Sequence, residues 1–378
     1  MSLGKTVMIF GLGDLGGWVL EFLARQQSVS TIITADPRED YGTMKTNTAA
    51  CGSGHMGYSK TMKFEKCDVF DIDSTAELLK KYNPDFIYAS MTQLSWWVPK
   101  FLPHEMHEEI LKIAGPMLPV HLTLISKLMK AVKKSGVTAP VLNNSWPDLT
   151  NPVLWRNGLG PLIGAGNLDL IVAEIRRKVS LAENIPIPEI DVYLFGEHVL
   201  NMRDSRLGIP YFLKIMVDGK DITGKFDTNS LISDRLMRCP ASQVSWISHP
   251  LVATSAVRII MSILNDTGEV THAPGPNGLI GGYRVRLSAK GAEVILPEGL
   301  TMEQAIKINT DDMKYEGVEE VKDDGTIVFT EEGYKVTKEI FGIDHGELRF
   351  EETEERSKEI LAAYKKLAKK YKAPLYLY

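Results

Sequence analysis

The chain has only three cysteines in 378 residues, Cys51, Cys67 and Cys239, odd in number and scattered. None is part of a CxxC pair, so the sequence holds neither a disulfide framework nor a zinc knuckle, and a reducing cytoplasm is the expected compartment. Long apolar runs are also missing. No window approaches eighteen uninterrupted hydrophobic residues, so no spanning helix is expected. Charge of one sign is not concentrated anywhere: 43 basic against 48 acidic side chains leave a net −5, spread along the chain. That gives no electrostatic case for a nucleic-acid or anionic-membrane partner. There is no internal repeat and no low-complexity stretch. The first residues run straight into a strand pattern, from which no signal peptide is expected.

What is present is ordinary globular material, 44% hydrophobic and 24% charged, with length for about two domains. KTVMIF (5–10), STIITAD (30–36), 63–69 and DFIYAS (85–90) read as strands, alternating with helices after residue 11 and over 74–82. Apolar strands alternating with helices predict a parallel sheet covered on both faces. Residues 91–118 are weakly patterned and read as a long excursion from a strand end, with a short helix at 105–113. A strong helix is expected at 118–135 and a short strand at 140–143. The second half, taken as 151–378 after a first domain of 1–150, predicts a helix at 167–182 and strands at 191–195 and 211–217. A helix at 250–265 and strands around 283–297 follow. Residues 301–345 read as a charged, irregular insertion, and 351–371 as a closing amphipathic helix.

Two stretches carry chemistry. GLGDLG, directly after a strand and opening a helix, places Gly11, Gly13 and Gly16 where a dinucleotide fold needs them: a tight turn, close approach of backbone to pyrophosphate, and helix–strand packing. The amides of Asp14, Leu15 and Gly16 then open the helix toward phosphate. Asp36, twenty residues on at the end of the second strand, can accept the ribose hydroxyls and favours NAD, while Arg38 keeps NADP open. The second stretch is DVYLFGEHVLN (191–201), where a strand delivers His198, a residue suited to proton transfer near neutral pH. In GAGNLDLIVAEIRRKV (164–179), Leu168, Ile171, Val172, Ile175 and Val179 mark one helix face. Asn167 is the expected N-cap. Asp169, in the first turn, is within reach as the carboxylate that would orient His198.

Taken in order, GLGDLG, Asp36, the 91–118 loop, VLNNSWPDLT (141–150), GAGNLD (164–169), GEHVLN (196–201), SAVRIIMSILNDTGEV (255–270) and GGYRVRLSAKGAEVILPEGLT (281–301) resemble the lactate/malate dehydrogenase superfamily. The resemblance implies an α/β protein: an N-terminal Rossmann doubly wound parallel sheet, followed by a C-terminal α/β substrate domain with mixed antiparallel sheet. It implies a homodimer or homotetramer acting on a small molecule, with hydride transfer between nicotinamide C4 and a hydroxyl-bearing carbon. His198 would be acid/base, Asp169 its partner, and Asn144 (or Asn143) the asparagine near nicotinamide and substrate.

The departures are specific. The family's substrate-clamping arginine, three residues after that aspartate, is Val172 here. The 91–118 loop has no arginine, only Lys100 and Lys112 besides histidines, with HLTL and His121 where an arginine-bearing stretch would fall. GEHG has become GEHV, with Val199. An apolar side chain cannot replace a planar guanidinium fork. Plain lactate or malate is therefore not expected as substrate. Arg176, Arg203 and Arg206 are the candidate replacement cations, and Trp96, beside Trp97, suggests a bulkier substrate. No metal site is expected: His104 and His107 read as loop packing, and Cys51 and His55 as a loop after the second strand. Two other functions compete, a non-catalytic dinucleotide sensor and a metal- and NAD-dependent glycosidase of the same fold. A short-chain dehydrogenase would need a YxxxK pair in mid-chain, and Tyr41/Lys45 and Tyr334/Lys338 are both misplaced for that.

Overall fold

The computed structural model describes residues 4–112, 114–236 and 248–375; Cys239 lies outside them. The first half is built from β1 (Lys5–Phe10), α1 (Asp14–Leu23), β2 (Val29–Asp36), α2 (Glu39–His55), β3 (Thr61–Lys66), α3 (Ile72–Tyr82) and β4 (Phe86–Ala89). It continues through α4 (His104–Lys112), α5 (Leu118–Ser135), β5 (Val141–Asn143), α6 (Pro147–Arg156) and β6 (Ile163–Gly164). These strands form one parallel sheet in the order β3-β2-β1-β4-β5-β6. This is the doubly wound arrangement, with a switch point between β1 and β4. The sheet runs on to Gly164, past residue 150, where the first domain was expected to end.

Strand alternation explains the double cover. Val7 and Ile9 of β1 face a core shared with α1, while Met8 and Phe10 face one shared with α3 and α5. Successive side chains of a strand point to opposite faces, so an inner strand of such a sheet must be apolar throughout. β3, at the edge, alternates exposed and half-buried residues instead.

The second half contributes α7 (Leu168–Glu183), β7 (Ile190–Phe195), α8 (Val199–Met202), β8 (Phe212–Val217), β9 (Lys220–Asp221), α9 (Thr228–Ser233) and α10 (His249–Leu264). Beyond these lie β10 (Val270–Pro274), β11 (Gly282–Ser288) and β12 (Gly291–Val294). β7-β8-β9 and β10-β11-β12 are antiparallel sheets. The predicted stripe of α7 is buried: Leu168, Ile171, Val172, Ile175 and Val179 pack on Ile190, Val192 and Leu194 of β7. Full burial of each such side chain stabilises by about 1.5–3 kcal/mol. α10 returns to the first sheet and packs in the same core as α1.

Residues 301–345 are ordered, contrary to the irregular insertion expected. They form α11 (Met302–Asp312), a β13/β14 hairpin (Val318–Val321, Ile327–Phe329) and α12 (Glu331–Phe341), with β15 (Glu347–Leu348) completing a third small sheet. α11 opens on a capping box, the Thr301 hydroxyl accepting from the Gln304 amide and the Gln304 side chain accepting from the Thr301 amide. α13 (Thr353–Tyr371) lies against α5 through a Lys127–Glu354 ion pair of 2.6 Å and a bond from the Thr123 hydroxyl to the Thr353 carbonyl. No helix among the described residues is long and apolar enough to cross a membrane.

Candidate active site

The three glycines of the first turn divide their roles as the spacing predicts. Gly11 has φ +90°, a conformation that favours glycine. A Cβ on Gly16 would stand 1.9 Å from the Gly11 carbonyl oxygen, so only glycine lets α1 meet the turn. A Cβ on Gly13 would meet no protein atom within 4 Å; that face is open for a ligand backbone to approach. No side chain caps α1, which leaves its first amides for phosphate oxygens. The residues present therefore fit a dinucleotide. His249, at the start of α10, donates through Nδ1 to Asp14 and ties the second half to the turn.

Asp36, the expected ribose acid, closes β2 with both carboxylate oxygens engaged by the protein. Its Oδ1 accepts from the Arg38 amide (3.0 Å) and Nε (2.8 Å), and its Oδ2 from the Leu12 amide (2.9 Å) and Arg38 Nη2 (3.0 Å). Burial opposes its charge, yet these bonds and the guanidinium outweigh burial and hold the carboxyl below its ordinary value. The carboxylate braces the glycine turn and grips Arg38.

His198 does not pair with Asp169. Its Nδ1 donates to Glu316 Oε1 at 2.7 Å, and Glu316 is fully buried just after α11. Burial of the imidazole pulls its pKa down, but the Glu316 charge and hydrogen bond, with the Asp148 charge, outweigh that and raise it. Asp169 sits in another cluster, with the Thr271 hydroxyl 3.3 Å away and Ser255, Arg258 and Arg176 around it; burial pushes its pKa up. Asn167 holds the N-cap position of α7 as expected, but its side chain is used elsewhere. It makes no cap bond, has φ +53°, and donates its side-chain amide to Asp148.

Behind His198 lies a buried acidic group. Asp148, Glu197, Asp312 and Glu316 are all fully buried. The Glu197 amide donates to Asp312 Oδ2 at 2.6 Å, and the Val199 amide to Glu197 Oε2 at 3.0 Å. Burial together with mutual repulsion raises the pKa of Asp148 to about 7, despite the pull of His198, and drives Glu197 and Asp312 well above the ordinary carboxylate range. In front of His198, Trp146 packs against the imidazole at 5.4 Å with the rings tilted by 58°, and in turn meets His121 edge-on at 5.3 Å. Trp146 has φ +51°, a costly conformation for a bulky residue and one that gathers at functional sites. It lies three residues beyond the end of β5, and His121 Nδ1 lies 3.2 Å from Thr92 Oγ1 in the loop after β4. His198 thus stands at the carboxyl ends of β4 and β5, the place where open α/β sheets bind ligands. Burial and the His198 charge lower the His121 pKa to about 3, so its ring is neutral.

The two adjacent asparagines separate. Asn143 is locked to Thr150 and Asn151, whereas Asn144 donates to the Ala165 carbonyl and keeps a buried Oδ1 without a protein partner. Of the candidate cations, Arg176 lies between Asp169 and Asp191, and exposed Arg206 pairs with Asp204 and Asp234. Arg203 donates to the Tyr315 carbonyl at 2.9 Å, next to Glu316. Val172 is core, and half-exposed Trp96 lies under Lys100 of its own loop. Cys51 and His55 are on α2, a helix where a loop was expected. Among the described residues no group of three or more His, Cys, Asp or Glu is placed to hold a metal ion.

The fold has structural counterparts. A lactate dehydrogenase from a Medee basin deep-sea metagenome library superposes with a TM-score of 0.58 at 16% identity, over 82% of this chain and 96% of that one. Cryptosporidium parvum malate dehydrogenase gives 0.59 at 15%, over 82% and 96%. This chain has the lactate/malate dehydrogenase fold. Eimeria maxima lactate dehydrogenase, solved with NADH and oxamate, gives 0.58 at 15%, over 83% and 94%. The sequence matches no family profile and no curated protein, so the likeness is one of fold.

Glu316 is the residue that sequence reasoning missed. Ala305, Asn309, Asp312, Met313 and Glu316 recur at 4, 7, 8 and 11 residues and are all buried. That is a helical stripe, with Thr301-x-x-Gln304 as its start signal. It was hidden because three of its five inward residues are polar, and a search for apolar periodicity passes over them.

Proposed function

We propose that this protein is a nicotinamide-dinucleotide-dependent oxidoreductase that interconverts a hydroxyl and a carbonyl on a small molecule, with His198 as acid/base and Glu316 as its positioning residue. One observation carries the reading. An imidazole from the second half, fixed through Nδ1 by a buried carboxylate, is delivered to the carboxyl ends of the parallel strands, the sheet edge that also carries the open glycine turn. With Nδ1 committed to Glu316, Nε2 is the nitrogen that exchanges a proton with substrate oxygen. The dinucleotide supplies the hydride. The chain holds it through the first amides of α1 and through Asn144, whose unpartnered Oδ1 can accept from a carboxamide.

The substrate is neutral or amine-bearing rather than lactate or malate. Val172 removes the guanidinium clamp, and the candidate replacement cations are engaged elsewhere: Arg176 with Asp169 and Asp191, Arg203 with the Tyr315 carbonyl, and Arg206 with Asp204 and Asp234. The test is a screen of hydroxy acids, amino alcohols and sugar alcohols for dinucleotide reduction, repeated with His198→Ala. That variant should retain dinucleotide binding, followed by fluorescence, and lose about 10²–10⁴-fold in turnover. Undiminished turnover in His198→Ala would remove the assignment.

A further inference from the structure

Two imidazoles border the site, and they differ in what they can offer a ligand. His198 and His121 pack on the same indole, that of Trp146, with ring centroids 5.4 and 5.3 Å from it. Each has Nδ1 tied to the protein, His198 to Glu316 and His121 to the hydroxyls of Thr92 (3.2 Å) and Ser145 (3.4 Å). Neither Nε2 has a hydrogen-bond partner among the described residues, and neither is sealed from solvent. The hydroxyls decide where the His121 ring proton sits. A hydroxyl has one proton to give and two lone pairs. Ser145 Oγ lies 3.0 Å from the His121 carbonyl oxygen, closer than to Nδ1. Thr92 Oγ1 lies 3.0 Å from the Leu94 carbonyl oxygen and 3.2 Å from that of Val120. Carbonyls only accept, so both hydroxyl protons go to them and both hydroxyls turn lone pairs toward Nδ1. Nδ1 therefore carries the ring proton and Nε2 is bare. Burial and the His198 charge keep a second proton off the ring.

We propose that His121 Nε2 is a specificity-determining acceptor, so that the substrate carries a second donor group, a hydroxyl or an amine, near the carbon that His198 serves. The inference rests on the oxidoreductase reading above and names its substrate class: short-chain diols and amino alcohols, with the matching carbonyl compounds. In oxidation the reacting carbinol gives its hydride to the oxidised dinucleotide and its hydroxyl proton to His198 Nε2, leaving a carbonyl. The second group takes part in neither transfer and keeps its proton, which it donates to His121 Nε2. A carboxylate in that place has no proton to donate and would set lone pairs against a lone pair. A plain alcohol would strip Nε2 of water and give it no donor in return. The Trp146 indole, touching both rings, is the surface along which a short carbon chain reaches both nitrogens.

The experiment compares kcat/KM for four three-carbon compounds that share one carbinol: propane-1,2-diol, 1-amino-2-propanol, 2-propanol and lactate. At least one of the first two should exceed both of the others by about tenfold or more, and their order tells hydroxyl from amine. In His121→Phe that advantage should fall toward one, through KM more than kcat. In His121→Gln, whose side-chain oxygen can accept, it should be partly restored. Ring ¹⁵N NMR of the full chain needs no substrate. His121, assigned by its absence in His121→Phe, should show a protonated Nδ1 and a bare Nε2 that does not titrate between about pH 5 and 8. Equal or faster turnover of 2-propanol or lactate, an advantage unmoved in His121→Phe, or a proton on Nε2 overturns this inference and leaves the oxidoreductase reading standing. Failure of all four compounds, and of the wider screen, to reduce the dinucleotide overturns both.

Discussion

Replacing Glu316 by Gln removes one negative charge and keeps the shape of the side chain that fixes His198. The contact is a 2.7 Å bond to a fully buried carboxylate. A hydrogen bond to a charged group contributes about 1.5–3 kcal/mol, and 1.36 kcal/mol corresponds to one pKa unit. The His198 pKa should therefore fall by about one to two units. A Coulomb figure of about 4 kcal/mol at 4 Å and an effective dielectric of 20 bounds this from above, and the Asp148 charge that remains keeps the shift below that bound. The sign follows from which form is active. Carbonyl reduction needs protonated His198, so the alkaline fall of kcat/KM should move to lower pH, whereas oxidation should rise earlier. A substrate-free measurement is an NMR titration of the histidine ring protons, with the His198 resonance assigned by its absence in His198→Ala. Asp169→Asn serves as the contrast, because Asp169 lies in the Thr271–Ser255–Arg258 cluster and should leave that resonance unmoved. An unshifted His198 in Glu316→Gln, or an equal shift in Asp169→Asn, refutes the pairing. Linkage adds a stability signature. A histidine whose folded pKa is raised stabilises fully below its unfolded value of about 6.5, and that stabilisation is lost as pH climbs through the folded value. Glu316→Gln should flatten this loss.

Two further outcomes concern the turn and the acidic group. Gly16→Ala forces its Cβ into the Gly11 carbonyl and should cost about 1–3 kcal/mol or more, read as a lower urea midpoint, with dinucleotide binding lost. Gly13→Ala, whose Cβ meets no protein atom within 4 Å, should leave the midpoint unchanged and weaken only the nucleotide. Asp148 has its folded pKa raised to about 7, so the unfolded chain releases that proton first, and this group erodes stability as pH rises from about 4 toward 7. In Asp148→Asn the decline should shrink, as thermal melts across that range would show.

How far the sequence could be read depended on which force shaped each part. The parallel sheet, α5, α7 and α10 were legible to within a few residues because apolar side chains repeat along them with the period of the element. The glycine turn was legible because the need for no side chain is local: Gly11 must adopt positive φ and Gly16 must touch Gly11. α2 was read as a loop because its residues show no apolar stripe. α11 was missed because, beyond Ala305, its inward face is Asn309 and Asp312, continued by Glu316 just past its end, residues that ordinarily mark a surface.

Nothing local to DVYLFGEHVLN names the partner of its histidine. Asp169 is 29 positions before His198 and Glu316 lies 118 after it, and separation along the chain says nothing about which carboxylate reaches the ring. Likewise, Asp36 and Arg38 stand two apart in any reading, yet only the folded turn brings the Leu12 amide onto the same carboxylate and fills it. Apolar pattern and glycine placement settled the scaffold, since burial and backbone freedom are properties of short segments. Tertiary packing chose the ion pairs, because hydrogen bonds and charge act between specific atoms a few ångströms apart, whatever their distance in the chain.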